Sequence, residues 1–173
     1  RNVVKPGAKY LNFNYTEFAE TLYGAQSVCY IHGSRKNRKD KLILGHSYKK
    51  SVPDVSVKMP RFKDGFKRGM VNAAFDDAMV HTGWYDQVTT KNSRQIIKNH
   101  ESFFDGLSDI DAVIVIGHSL SEVDMEYFER ICSVVHIDAK WIFSCHDSGG
   151  LKAINVFVKT MAIGADRVTI FRL

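Results

Sequence analysis

Three short segments combine small, polar and titratable residues directly after apolar runs: FNYT at 13–16, IHGS at 31–34 and IGHSLSEVD at 116–124. In parallel α/β sheets, ligands bind outside the carboxyl ends of the strands, which is where such segments would sit. His32, at a strand end, could act as a general base near neutral pH; the competing role is that of a structurally satisfied histidine. Asn14 offers a carboxamide to ligand hydroxyls, or caps the helix that follows. Gly117, His118 and Ser119 form a strand-to-helix turn whose N–H groups favour an anion such as a phosphate. Gly117 would allow close backbone approach, or it only turns the chain while Ser121 and Asp124 cap the next helix.

GHSLS at 117–121 also nearly matches the nucleophile elbow G-x-S-x-G in a strand–turn–helix context. Ser119 would be the nucleophile of a serine hydrolase, with Asp138 and His146 following in the required chain order. The fifth position is Ser121 rather than glycine, so this is the weakest of the catalytic readings. His32, His46, His118 and His146 lack ligand spacing, and no metal site is expected.

These segments need strands and helices to hold them. Tyr10–Phe13 reads as a strand, followed by a helix over 15–23 with Asn14 as N-cap, Glu17 completing a capping box and Gly24 at its end. Ser27–Ile31 reads as a strand and Lys41–Leu44 as its hairpin partner. Residues 46–61 read as a loop, 62–81 as a helix and about 92–105 as a second helix with Ile96, Ile97, Phe103 and Phe104 on its apolar side. Ala112–Ile116 is a continuous apolar run of the kind buried on both faces. A helix over 122–133, a strand at 141–144, a helix over 151–162 ended by Gly164 and a strand at 167–171 complete the chain. The alternation predicts a mainly parallel, doubly wound α/β sheet, in a single domain over 1–173 with a hairpin and helices inserted at about 33–107.

The chain has 173 residues, 45% of them apolar, so it can bury a core and is not globally disordered. No apolar run reaches membrane-spanning length. Residues 1–87 carry 15 Lys+Arg against 8 Asp+Glu, whereas residues 88–173 carry 9 against 11. The excess lies in RKNRKDK at 35–41 and between Lys49 and Arg68. Such a patch attracts nucleotides or nucleic acid; alternatively it keeps an exposed sheet edge soluble. Cys29, Cys132 and Cys145 form no CxxC, which favours three buried thiols in a reducing, cytoplasmic setting.

LNFNYTEFAETLYG, YIHGS, LILGHS, VIGHSLSEVDMEYF and DRVTIFRL, in that order, resemble the AbiH family of bacterial abortive-infection proteins. That family is similar in turn to sirtuin-like NAD-binding domains on a Rossmann-like sheet. The resemblance implies phage defence and NAD as cofactor or substrate. Asn14 would contact the nicotinamide ribose, and His32 of the His-Gly pair would be the base on it. Thr16, Gly33, Gly117, His118, Ser119 and Asp124 would line the nucleotide. It further implies cleavage of the nicotinamide–ribose bond, if the chain is an enzyme; a non-catalytic nucleotide or nucleic-acid sensor is the alternative. A Gly-Asn-Gly-Phe-Asp segment after the first strand is usual in that family and has no counterpart here. The chain, which opens on Arg1, is therefore expected to be a C-terminal portion missing the first strand of its sheet.

Overall fold

Short runs rich in β-branched and aromatic residues form the strands, and apolar side chains at helical spacing form the helices between them. The computed structural model describes residues 7–45 and 91–173. The chain divides into two compact units, and the elements described below all belong to the one that includes residues 7–43 and 92–173. In chain order its elements are β1 (Tyr10–Asn12), α1 (Phe18–Tyr23), β2 (Val28–Tyr30), α2 (Ser93–Asn99), α3 (Glu101–Asp105), β3 (Ala112–Val115), α4 (Met125–Val134), β4 (Lys140–Cys145), α5 (Ser148–Thr160) and β5 (Val168–Arg172). Single 3₁₀ turns over Glu122–Asp124 and Ala165–Arg167 lead into α4 and β5.

The strands form two short parallel sheets, β1–β2 and β3–β4–β5. Tyr10 pairs with Val28 and Asn12 with Tyr30, while Val113 pairs with Trp141 and Val115 with Phe143. Side chains alternate across a strand, so Val113, Val115, Trp141 and Phe143 share one face, and α4 and α5 pack on it. Phe128 of α4 meets Phe157 of α5 at 5.0 Å between ring centroids, and Phe157 meets Phe143 at 5.6 Å and Trp141 at 5.9 Å. Trp141, Tyr127, Phe104, Phe143, Phe157 and Ile31 are the largest fully buried side chains. The described residues thus form a mixed α/β fold of short parallel sheets and helices, with no closed barrel among them.

Several expectations are corrected. The β3 run is not buried on both faces: Ile114 is 40% exposed and Ile116 51%, because the helices on either side of β4 both cover the opposite face. Residues 41–44 form no strand; a single bond from Ile43 N–H to His32 O (2.9 Å) is what remains of the hairpin. Helix α1 starts at Phe18, and Asn14 does not cap it. Asn12 does the local work instead, accepting from Asn14 N–H (2.9 Å) and donating through Nδ2 to Thr16 O (3.1 Å), which keeps 13–17 out of the helix. The helix expected over 92–105 is two helices, broken where His100 Nδ1 bonds Ile96 O (2.9 Å).

Ser121 makes no side-chain cap, whereas Asp147 caps α5 by accepting from Gly150 N–H (2.8 Å). Helix α5 stops at left-handed Ala162 (φ 52°) ahead of Gly164. The three cysteines are half-buried rather than core residues, and none is in a disulfide. The loop expected over 46–61 and the helix over 62–81 lie outside the described residues. No helix among the described residues is long and apolar enough to cross a membrane.

Candidate functional site

The carboxyl ends of β1 and β3 converge on one side chain, Phe13. Its ring stacks on Phe128 (5.8 Å, 10°) and meets His118 (4.5 Å), Tyr127 (5.6 Å) and His32 (5.8 Å) edge-on. Such edge-to-face aromatic pairs contribute roughly 0.5–1.5 kcal/mol beyond area burial. Phe13 therefore ties the first two sequence segments to the third.

His32 lies inside this cluster, only 3% exposed. Its Nδ1 is 3.4 Å from the Phe13 carbonyl, which can only accept, so Nδ1 carries the proton. Nε2 is then an acceptor and faces the Tyr127 hydroxyl at 3.2 Å. Ser93, also buried, favours the ionised form of the Tyr127 phenol and so draws its pKa down. Both ring nitrogens of His32 are thus engaged within the protein, as in a satisfied core histidine.

His118 is locked in the same way. Leu120 N–H donates to its Nδ1 (2.9 Å), which leaves the proton on Nε2, 3.4 Å from Asp124 Oδ2. Asp124, at the start of α4, therefore holds the imidazole that holds the Leu120 amide. Gly117 (φ 64°) and Leu120 (φ 52°) are both left-handed, and a non-glycine residue there costs about 1–2 kcal/mol. Leu120 keeps that conformation because its side chain is 7% exposed in the core and its amide is bonded to His118.

Asp124 also shapes the phenols around it. Burial first, and the Asp124 charge second, push Tyr15 above the ordinary tyrosine range. Tyr127 is pushed up to about 12, mainly by burial and further by Asp124 and Glu126, against a lowering contribution from Ser93. Tyr15 donates from its hydroxyl to Ile43 O (2.9 Å), which closes the chain over β1 and β2. Because folding raises the Tyr127 pKa, its stabilising effect is complete below pH 10 and is lost as pH rises from 10 toward 12, where the unfolded phenol ionises first. An alkaline titration followed at 295 nm should therefore show a late phenolate step that coincides with loss of far-UV dichroism. In Tyr127→Phe the late step should shrink to the share of Tyr30, whose phenol burial and Glu20 also push up to about 12, and loss of structure should begin at higher pH.

Of the residues singled out from sequence, His32 and His118 lie against Phe13 and Asp124 lies beside His118, while Asn14 and Thr16 belong to the Asn12-held loop after β1. Asn14 and Ser119 are exposed, and Gly117 is exposed with its N–H bonded to Ser144 Oγ (2.9 Å). A Cβ built on Gly117 meets nothing within 4 Å, so this turn opens to free space. Gly33 serves a different purpose. Its φ is +87°, and a Cβ there would lie 2.8 Å from the Lys41 carbonyl oxygen, so the missing side chain admits the returning chain. Gly33→Ala should cost at least about 1 kcal/mol, read as a lower urea midpoint at unchanged m.

The hydrolase arrangement is overturned. Asp138 precedes β4 and sits at the amino end of the sheet, beside exposed His136 (3.9 Å), whereas Ser119 follows β3 at the carboxyl end. Two groups at opposite ends of parallel strands share no substrate. Phe13, Tyr127 and Ser93 were the residues missed. Tyr127 could have been found from its place three residues after Asp124 and four before Ile131, on one face of α4.

Searches of curated proteins and of solved structures each found no match. One family model does match, that described as bacteriophage abortive infection AbiH, over residues 1–145. It covers β1 through β4, including every residue of the Phe13 cluster. By that match, the chain belongs to the AbiH family.

Proposed function

We propose that this chain acts in abortive infection of phage-infected bacteria by binding a nucleotide at the carboxyl ends of β1 and β3, with NAD as the ligand to test first. The observation that carries the reading is the meeting of Phe13 with His118 at 4.5 Å, which brings two strand-end loops together at one place. Convergent loops at carboxyl strand ends are the usual ligand position in parallel α/β folds.

The residues present fit such a ligand. Exposed Asn14 and Ser119 offer a carboxamide and a hydroxyl to ribose or phosphate oxygens, and the open space at Gly117 admits close approach. NAD supplies a nicotinamide–ribose bond that water can hydrolyse. In that reaction Asn14 would orient the ribose, and His32 Nε2 would accept a ribose hydroxyl proton. For that, His32 must exchange its Tyr127 hydroxyl partner for the substrate's. The Asp124–His118 pair would keep the 117–120 turn in place beneath the nucleotide.

Calorimetric titration of the protein with NAD and with ADP-ribose tests binding, and a nicotinamide-release assay tests hydrolysis. Asn14→Ala, at an exposed position, should weaken binding by about tenfold, or about 1.4 kcal/mol, without lowering stability. His32→Ala should abolish nicotinamide release. Absence of binding to both ligands rejects the nucleotide reading. Binding without release leaves a nucleotide sensor and removes hydrolysis.

A further inference from the structure

The molecule has a second feature, on the far side of β2 from β1. Ile31 N–H donates to Asn12 O (3.2 Å), so alternate residues of β2 turn their backbone groups toward β1, and Val28 and Tyr30 turn theirs outward. Tyr30 O accepts from Gly33 N–H (3.1 Å). Among the described residues nothing pairs with Val28 N–H, Val28 O or Tyr30 N–H. A row of this kind is a template for another strand. The chain itself uses the same edge one step further along, where Ile43 N–H meets His32 O.

Beside these groups lies a cavity of about 630 Å³, lined in part by Ser27, Val28, Tyr30, Ser34, Lys36 and Asn37. That volume is in the range of small-ligand sites, enough to admit single side chains of a segment laid along the edge. Its outer wall is the 35–41 turn, which carries five cations against the single anion Asp40. All of those cations are exposed, and no ion pair among the described residues engages them. The two carboxylates at the cavity already have partners: Glu20 accepts from the Tyr30 hydroxyl (2.6 Å) and Asp40 from Asn37 Nδ2 (2.8 Å).

The geometry points to the outer edge of β2 as the docking site for an extended, acidic segment of a partner protein, added as a further strand. Main-chain bonds to Val28 and Tyr30 give such a segment its register, and alternate side chains reach the cavity. Its carboxylates face Lys36 and the rest of the basic turn. The site is distinct from the Phe13 cluster and does not depend on nucleotide binding there.

Fluorescence anisotropy of the full chain with a short end-labelled peptide of alternating Glu and Val tests this. The peptide should bind, and N-methylation of alternate amides, which removes ladder donors but keeps every charge, should weaken binding at least tenfold. Lys36→Glu, at an exposed turn position, should weaken it by a similar factor and leave the folding midpoint unchanged. Equal binding of the N-methylated peptide, no effect of Lys36→Glu, or no binding of the parent peptide each overturns the proposal. Tighter binding of a single-stranded oligonucleotide than of the peptide, with a steep negative salt slope, overturns it in favour of a nucleic-acid surface.

Discussion

Replacing Phe157 by alanine is expected to lower the unfolding free energy by about 3–5 kcal/mol. Phe157 is 1% exposed and its ring meets Phe128, Trp141 and Phe143 within 6 Å. It is the residue through which α5 grips both α4 and the core face of β4. Removing the ring takes away buried apolar surface and leaves a gap bounded by three aromatic rings, whose rigid shapes collapse poorly into it. Against a typical domain stability of about 5–15 kcal/mol, the loss is large enough to shift a urea midpoint far to the left. Val156→Ala, one residue away and 66% exposed, should change stability by no more than about 0.5 kcal/mol. A Phe157→Ala cost below about 1 kcal/mol would mean that α5 is not fixed to the sheet as described.

The contrast between Val156 and Phe157 was legible in the sequence, because helical spacing alone places Ile154 and Phe157 on one face of α5. The same holds for β3, β4 and β5, whose apolar runs are bounded by glycine or polar residues. Helix ends were less legible where side chains compete with the backbone. Asn12 and Asn14 are equally good local acceptors by type, and only the loop geometry decides that Asn12 closes the turn. His100 breaks a periodic apolar pattern by bonding Ile96 O, and periodicity carries no trace of such a bond.

At the candidate site, the sequence revealed which loops would meet but not what the histidines would do there. His32 follows a strand and precedes a glycine, which is compatible with a base or with a buried structural group. The sequence cannot show that Tyr127, 95 residues away, places its hydroxyl on Nε2, a partner that His32 must exchange before it can act as a base. The burial of β3 was misjudged for a related reason. An apolar run reports that a strand is able to be covered on both faces, whereas coverage depends on which side the crossover helices take.

Asp124→Ala should cost about 1.5–3 kcal/mol, the range for a hydrogen bond to a charged group, but its sharper effect should be local. Asp124 Oδ2 fixes the His118 ring through Nε2, and the ring fixes Leu120 N–H through Nδ1. Leu120 holds a left-handed conformation (φ 52°) that a β-carbon disfavours, and this chain of contacts, together with the buried Leu120 side chain, opposes that strain. Without the carboxylate the imidazole loses its anchor, and the strain at Leu120 favours opening. Hydrogen exchange of the Leu120 amide should therefore accelerate more than that of amides in β4, which report global unfolding. Asp124→Asn keeps an oxygen that accepts from Nε2–H, and should protect Leu120 better than Asp124→Ala does. Equal protection of Leu120 in Asp124→Ala and in the unsubstituted protein would show that the turn is held by core packing of the Leu120 side chain alone. The pairing of Asp124 with His118 would then have no part in presenting Gly117 and Ser119 to a ligand.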